Sequence, residues 1–140
     1  MSKVIVGDAD AIIALALEND PHHKQALTIN SILVREKAVI IFPFTALPEA
    51  ITTLKRALNQ PDKAHRLSKQ LGQGLFHVEY PNQEILCKAS QIFETAVSKK
   101  NTFFDAIVAA TAKSLEADAI FSFDEWYTKL GFRLASDLPN

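Results

Sequence analysis

Short apolar runs alternate along this chain with longer stretches in which apolar residues return every three or four positions, the mark of buried strands interleaved with amphipathic helices. Lys3 to Val6 reads as a buried strand ending at Gly7-Asp8. Ala11 to Leu17 continues as a helix that stops near Asn19-Asp20-Pro21, because proline cannot continue a helical ladder. His22 to Arg35 carries His23, Ala26, Leu27, Asn30 and Leu33-Val34 on or beside one face and predicts a second helix. Ala38 to Phe42 is a second strand, ended by Pro43, and Leu47, Ala50, Ile51, Leu54 and Leu58 mark a helix opened by Pro48, where proline is tolerated.

The second half repeats the alternation. Pro61 to about Leu71 predicts a helix broken at Gly72-Gln73-Gly74, Leu75 to Tyr80 a third strand, and Pro81-Asn82 the start of a helix. That helix holds its period through Ile85, Leu86, Ala89, Ile92, Phe93 and Ala96 and runs out at Ser98-Lys99-Lys100. From Thr102 an amphipathic helix buries Ile107, Val108, Thr111, Ala112 and Leu115; Ala119 to Phe123 is a strand; Gly131 closes a short helix; and Phe132 to Ala135 predicts an edge strand. Strands and helices joined by short connections predict a three-layer α/β/α sandwich around a mainly parallel sheet of about five strands.

With 140 residues and 48% hydrophobic content, residues 1–140 are expected to form a single domain able to bury a core without disulfides or structural metal. The longest apolar run, Ala11 to Leu17, is far below the roughly 18 residues that cross a bilayer, and Met1-Ser2-Lys3 leads straight into a strand, so a cytoplasmic protein with no membrane attachment is expected. Cys87 lies off the apolar face of its helix, with no pattern of a nucleophile around it. A net charge of −1 rules out a global basic field, so a polyanionic partner must be held by a local site or by metal ions. The histidines lack zinc-ligand spacing: His22 and His23 are adjacent at a proline turn, and His65 and His77 are isolated.

Four acids fall at corresponding joints: Asp8 after the first strand, Glu49 in the first turn after the second, Asp105 in the first turn of the long helix, and Asp124 after the strand that follows it. Right-handed crossovers bring these joints to one edge of a parallel sheet. Carboxylates crowded together repel and raise one another's pKa, so such a cluster points to a hard divalent cation such as Mg2+ or Mn2+, which activates water and neutralises phosphate. Each acid also has a structural role open to it. Asp8 and Asp124 could be N-caps, Thr102-x-x-Asp105 has the form of a capping box worth about 1 kcal/mol, and Glu49 could complement a helix dipole. Asp10 either joins the cluster from the first helical turn or only supports that helix end. Asp20, Asp62, Asp118 and Asp137 read as turn or loop acids. Lys55, Arg56, Lys99 and Lys100 are candidate phosphate contacts, but the commoner reading of such residues is as solvated helix positions.

These motifs together resemble the PIN domain and, in size, VapC-type toxin ribonucleases. The resemblance rests on Asp8-x-Asp10-x-Ile12-Ile13-x-Leu15, Glu49 after a strand, Phe104-Asp105-Ala-Ile-Val-Ala-Ala-Thr-Ala112, and Ile120-Phe-Ser-Phe-Asp124-x-x-Tyr127-x-x-Leu-Gly131. It implies a Rossmann-like sheet in the order 3-2-1-4-5 and an acidic quartet of Asp8, Glu49, Asp105 and Asp124 binding Mg2+ or Mn2+. It further implies cleavage of single-stranded RNA, an antitoxin protein as partner and a homodimer. Asp10 stands where the family often has Ser, Thr or Asn, and Ser122 where it often has Thr; Ser122 keeps the hydroxyl and so either supports the site or bonds backbone at the strand end. Trp126-Tyr127 is expected to pack rather than to stack on bases. Asp8-x-Asp10 also resembles the haloacid dehalogenase phosphatases, but Ile12 occupies that family's threonine position. A non-catalytic PIN module used for binding or assembly is disfavoured, since none of the four acid positions is lost.

Overall fold

A computed structural model of the chain describes residues 2–139. Its sheet is built from β1 (Val4–Gly7), β2 (Val39–Pro43), β3 (His77–Glu79) and β4 (Ala119–Phe121), all parallel, in the order β3-β2-β1-β4. The helices are α1 (Ala9–Ala16), α2 (His23–Arg35), α3 (Ala46–Thr52, continued by a π turn over Thr53–Ala57), α4 (Pro61–Gly72), α5 (Gln83–Phe93), α6 (Phe103–Ser114) and α7 (Trp126–Lys129).

Parallel strands covered on both sides must be apolar on both sides, and β1 pairs Ile5 with Ile40 and Ala119 on one face and Val6 with Ile41 and Ile120 on the other. On the Ile5 face Phe42 and Phe121 meet Ala11, Ala14 and Ile12 of α1, Ala26 and Leu33 of α2, Leu47 and Ala50 of α3, and Leu67 of α4. On the Val6 face lie Val108, Ala109 and Ala112 of α6 with Tyr127 of α7. Helix α5 docks onto α6 through Ile85 and Ala89 against Ala106, Ile107 and Ala110, the three alanines letting the two helices approach closely. The expected three layers are therefore present.

Three expected boundaries are corrected. The strand expected at Phe132 to Ala135 shrinks to one bridge, Leu134 to Ile120, beside a bond from the Ile120 amide to the Arg133 carbonyl (2.9 Å), and a 3-10 turn over Ala135–Asp137 ends the pairing. The sheet thus has four strands, with a rudiment at the fifth position. Helix α5 stops at Phe93 rather than near Ser98: the Thr95 and Ala96 amides tighten to the carbonyls three residues back, and Val97 beyond them packs on nothing. Strand β4 stops at Phe121 because Ser122 and the Phe123 amide turn aside to a carboxylate on α1.

Gly7 sets the exit of β1. A β-carbon there would overlap the Phe42 ring, which is itself held edge-on by Phe76 at a centroid separation of 5.8 Å. Gly7→Ala is therefore expected to cost about 1–3 kcal/mol of folding stability through overpacking, measured by chemical denaturation; a cost near zero would show that Phe42 can swing away.

Candidate metal centre

The carboxyl edge of the sheet is where β1 and β4 end and where α1, α3 and α6 begin, and all five candidate acids stand there. Asp8, Asp10, Glu49, Asp105 and Asp124 line one cavity of about 280 Å³ together with Ile13, Thr53, Lys100 and Thr102.

Each acid is placed by ordinary local structure. Asp8 caps α1, its Oδ1 accepting from the Ala9 amide at 2.7 Å, while its Oδ2 accepts from the Tyr127 hydroxyl at 2.6 Å; both side chains are buried. Asp10, in the first turn of α1, reaches across to the end of β4, where its Oδ2 accepts from the Ser122 hydroxyl (2.9 Å) and the Phe123 amide (2.8 Å). The Ser122 oxygen in turn accepts from the Asp124 amide at 3.1 Å, so one buried hydroxyl ties two acids together. Asp124 accepts from the Trp126 amide (2.9 Å) through Oδ1 and from Asn101 Nδ2 (3.0 Å) through Oδ2. Asp105 completes a capping box, accepting from the Thr102 amide at 2.9 Å while its own amide donates to the Thr102 hydroxyl. Glu49 sits in the first turn of α3 with Oε1 buried and unpartnered, and Asp10 Oδ1 is in the same condition.

The electrostatic consequence is one-directional. Burial pushes the Asp8 carboxyl well above its ordinary value, and the charges of Asp10, Asp105 and Glu49 add to that against the opposing Tyr127 hydrogen bond. Asp10 is raised chiefly by burial, opposed by its bonds to Phe123 and Ser122. Burial, then the charges of Asp105 and Asp10, lift Glu49 to about 7. Asp105 is raised by burial and by Asp124 even though Thr102 bonds its charged form. Tyr127, raised by burial and by Asp8, stays a neutral donor.

Buried carboxylate oxygens without a donor are costly, and Asp10 Oδ1 and Glu49 Oε1 sit in a cavity whose other acids repel them. A divalent cation with oxygen ligands answers both problems, so the donor set fits Mg2+ or Mn2+. Among the described residues no group of three or more His, Cys, Asp or Glu already stands in a metal-holding arrangement. Asp8, Asp105 and Asp124 are turned to Tyr127, Thr102 and Asn101 instead. Mg2+ keeps several of its waters, so direct contact with one or two carboxylates suffices.

Of the basic candidates only Lys100 lines the cavity; Lys55, Arg56 and Lys99 are exposed outside it. None of the histidines borders it, and Cys87 is exposed. What sequence reasoning missed are the hydrogen bonds of Tyr127 and Asn101 to the acids. Tyr127 stood in the motif after Asp124 and was expected only to pack, and Asn101 was visible only as the polar residue before a capping threonine.

The fold agrees with the comparisons to known proteins. The family model described as the PIN domain matches residues 5–133, and the chain belongs to that family. Among solved structures it is similar to VapC20 of Mycobacterium tuberculosis, described as a sarcin-ricin loop cleaving toxin, with a TM-score of 0.76 and 19% identity over 91% of this chain and 95% of that one. It is also similar to FitAcB from Neisseria gonorrhoeae, with a TM-score of 0.64 and 18% identity over 96% of this chain and 94% of that one. No curated protein sequence matches it.

Two outcomes follow from the hydrogen bonds and charges. Tyr127→Phe keeps the ring but leaves Asp8 Oδ2 buried without a donor, and should cost about 1–3 kcal/mol in denaturant unfolding; an unchanged midpoint would mean that another donor takes over. Glu49, held near 7 when folded against 4.5 ordinarily, binds its proton more tightly in the folded chain. Its contribution to stability is therefore full below about pH 4.5 and is lost as pH rises toward about 7. Metal-free protein should melt at progressively lower temperature across that window, and Glu49→Gln should flatten the slope.

Proposed function

We propose that the chain is a metal-dependent endoribonuclease that cuts single-stranded RNA, working in the cytoplasm as the toxin of a toxin–antitoxin pair. The observation that carries this reading is the convergence of five carboxylates from separate elements on one cavity, with two of their oxygens buried and unpartnered. Membership of the PIN domain family supports it. The toxin role takes its support from the likeness to VapC20 and FitAcB. The partners proposed with this role are a protein antitoxin, supported by the likeness to FitAcB, and a second copy of the chain.

Asp8, Glu49, Asp105 and Asp124, with Asp10, would hold Mg2+ or Mn2+. When bound, such a cation supplies a Lewis acid that activates water and neutralises the charge of the phosphate. The chain's own residues set the stage. Tyr127 fixes the direction of the Asp8 carboxylate, Ser122 locks Asp10 to the backbone of Asp124, and Lys100 brings a positive charge to the rim of an otherwise acidic cavity. A polyanionic strand would be repelled by this edge with its acids ionised and metal-free, so RNA binding as well as cleavage would need a cation held by these residues. The phosphatase reading of Asp8 and Asp10 is disfavoured by the match to the PIN domain over residues 5–133 and by Ile12 in the phosphatases' threonine position.

Single-stranded RNA should be cut in Mg2+ or Mn2+, leaving 5′-phosphate ends, and cutting should stop in excess EDTA; undiminished cleavage in chelator would end the metal reading. Asp105 is at once a capping residue and a member of the cluster, so Asp105→Asn separates the two contributions. The amide oxygen can still accept from Thr102, and losing the charge relieves repulsion, so the metal-free variant should be within about 1 kcal/mol of wild type. Its stabilisation by Mn2+ should shrink by about 1.4 kcal/mol for each tenfold loss of affinity, and cleavage should fall. A variant that is stabilised by Mn2+ and cuts RNA as wild type does would remove Asp105 from the site.

A further inference from the structure

Phe104 directly precedes Asp105 in the first turn of α6 and is 44% exposed. Its neighbour Phe103 turns to Phe93 in an edge-on contact at 5.7 Å. Phe104 instead walls a cavity of about 320 Å³ whose other sides are Pro48, Glu49, Thr52 and Thr53. Glu49 and Thr53 belong to the acid cavity as well, so the two spaces adjoin along the first turns of α3 and its π continuation. Phe104, Pro48, Thr52 and Thr53 make a mostly apolar slot, and Glu49 adds a carboxylate to its lining. An aromatic face left half open beside a phosphate-cleaving centre is what a single-stranded nucleic acid uses to seat an unstacked base.

We propose that this slot is a nucleobase subsite, in which Phe104 stacks the base of a nucleotide adjoining the phosphate at the acid cavity. The proposal rests on the ribonuclease reading above and adds to it the residue that selects unpaired substrate. A base inside a duplex has both faces covered by its neighbours, so only a strand that is single or splayed at that nucleotide can enter. Stacking recognises the π face that every base has, so the subsite chooses strand state rather than sequence. A side chain inserted by a protein partner is the competing occupant.

The test uses the full chain in Mn2+ with a short single-stranded RNA whose cut position has been mapped. Two substrates are compared, the intact strand and one carrying an abasic ribonucleotide beside the cut, against wild type, Phe104→Leu and Phe104→Tyr. Wild type should lose about tenfold in kcat/KM on the abasic strand, in line with the stacking of one base. Phe104→Leu should lose about tenfold on the intact strand and nothing further on the abasic one, and Phe104→Tyr should stay within about twofold of wild type. A folding defect in Phe104→Leu would lower cutting of both substrates alike, so the comparison decides even then. Losses that multiply, or Phe104→Leu cutting both substrates as wild type does, would overturn the subsite while leaving the nuclease in place. Wild type that cuts no RNA in Mn2+ would overturn the ribonuclease reading, and the subsite with it.

Discussion

The structure depends on a repulsion. A parallel sheet with right-handed crossovers brings the ends of its strands and the starts of its helices to a common edge, and this chain places acids at those joints from β1, α1, α3, α6 and the β4 exit. Any one of them would be an unremarked cap. Gathered around a cavity of about 280 Å³, they are raised in proton affinity first by burial and then by one another's charges, which lift Glu49 to about 7. Such an arrangement weakens the fold in the absence of a counter-charge, and the rest of the local structure can be understood as the means of holding it.

Those means are hydrogen bonds donated to the acids. Tyr127 is fully buried on the Val6 face of the sheet and sends its hydroxyl to Asp8. Ser122 spends its proton on Asp10 and its lone pair on the Asp124 amide. Asn101 and Thr102, at the entry to α6, donate to Asp124 and Asp105. Two members of the acid cluster are themselves capping residues: Asp8 caps α1 and Asp105 closes the capping box of α6. A helix start offers backbone amides that stabilise a carboxylate, and the sheet topology puts several helix starts together, so the cheapest way to hold an acid cluster is to make its members caps.

Much of this was legible in the sequence. The alternation of buried strands with helices at period 3.6 gave the layers, and Asp8, Glu49, Asp105 and Asp124 were identifiable from their places at element joints. What could not be read was what depends on tertiary geometry. Nothing local in Phe132 to Ala135 reveals that only Leu134 will pair with β4, nor that helix α5 will end at Phe93 once Val97 has nothing to pack on. The role of Tyr127 needs the turn after β4 to carry it back beneath Asp8, 119 residues away in sequence. Asp10 stood undecided between helix support and site; the structure puts it on the cavity, bonded to the Ser122 hydroxyl and the Phe123 amide just past β4.

The central claim is that these carboxylates serve a cation. The most direct measurement is diffraction at the manganese edge from crystals of the chain grown with Mn2+. The account predicts an anomalous peak in the cavity between Asp8, Glu49, Asp105 and Asp124, with carboxylate oxygens at about 2.0–2.3 Å and with Glu49 Oε1 or Asp10 Oδ1 no longer without a partner. A cavity free of anomalous signal at saturating Mn2+, with Asp8, Asp105 and Asp124 still turned to Tyr127, Thr102 and Asn101, would contradict it.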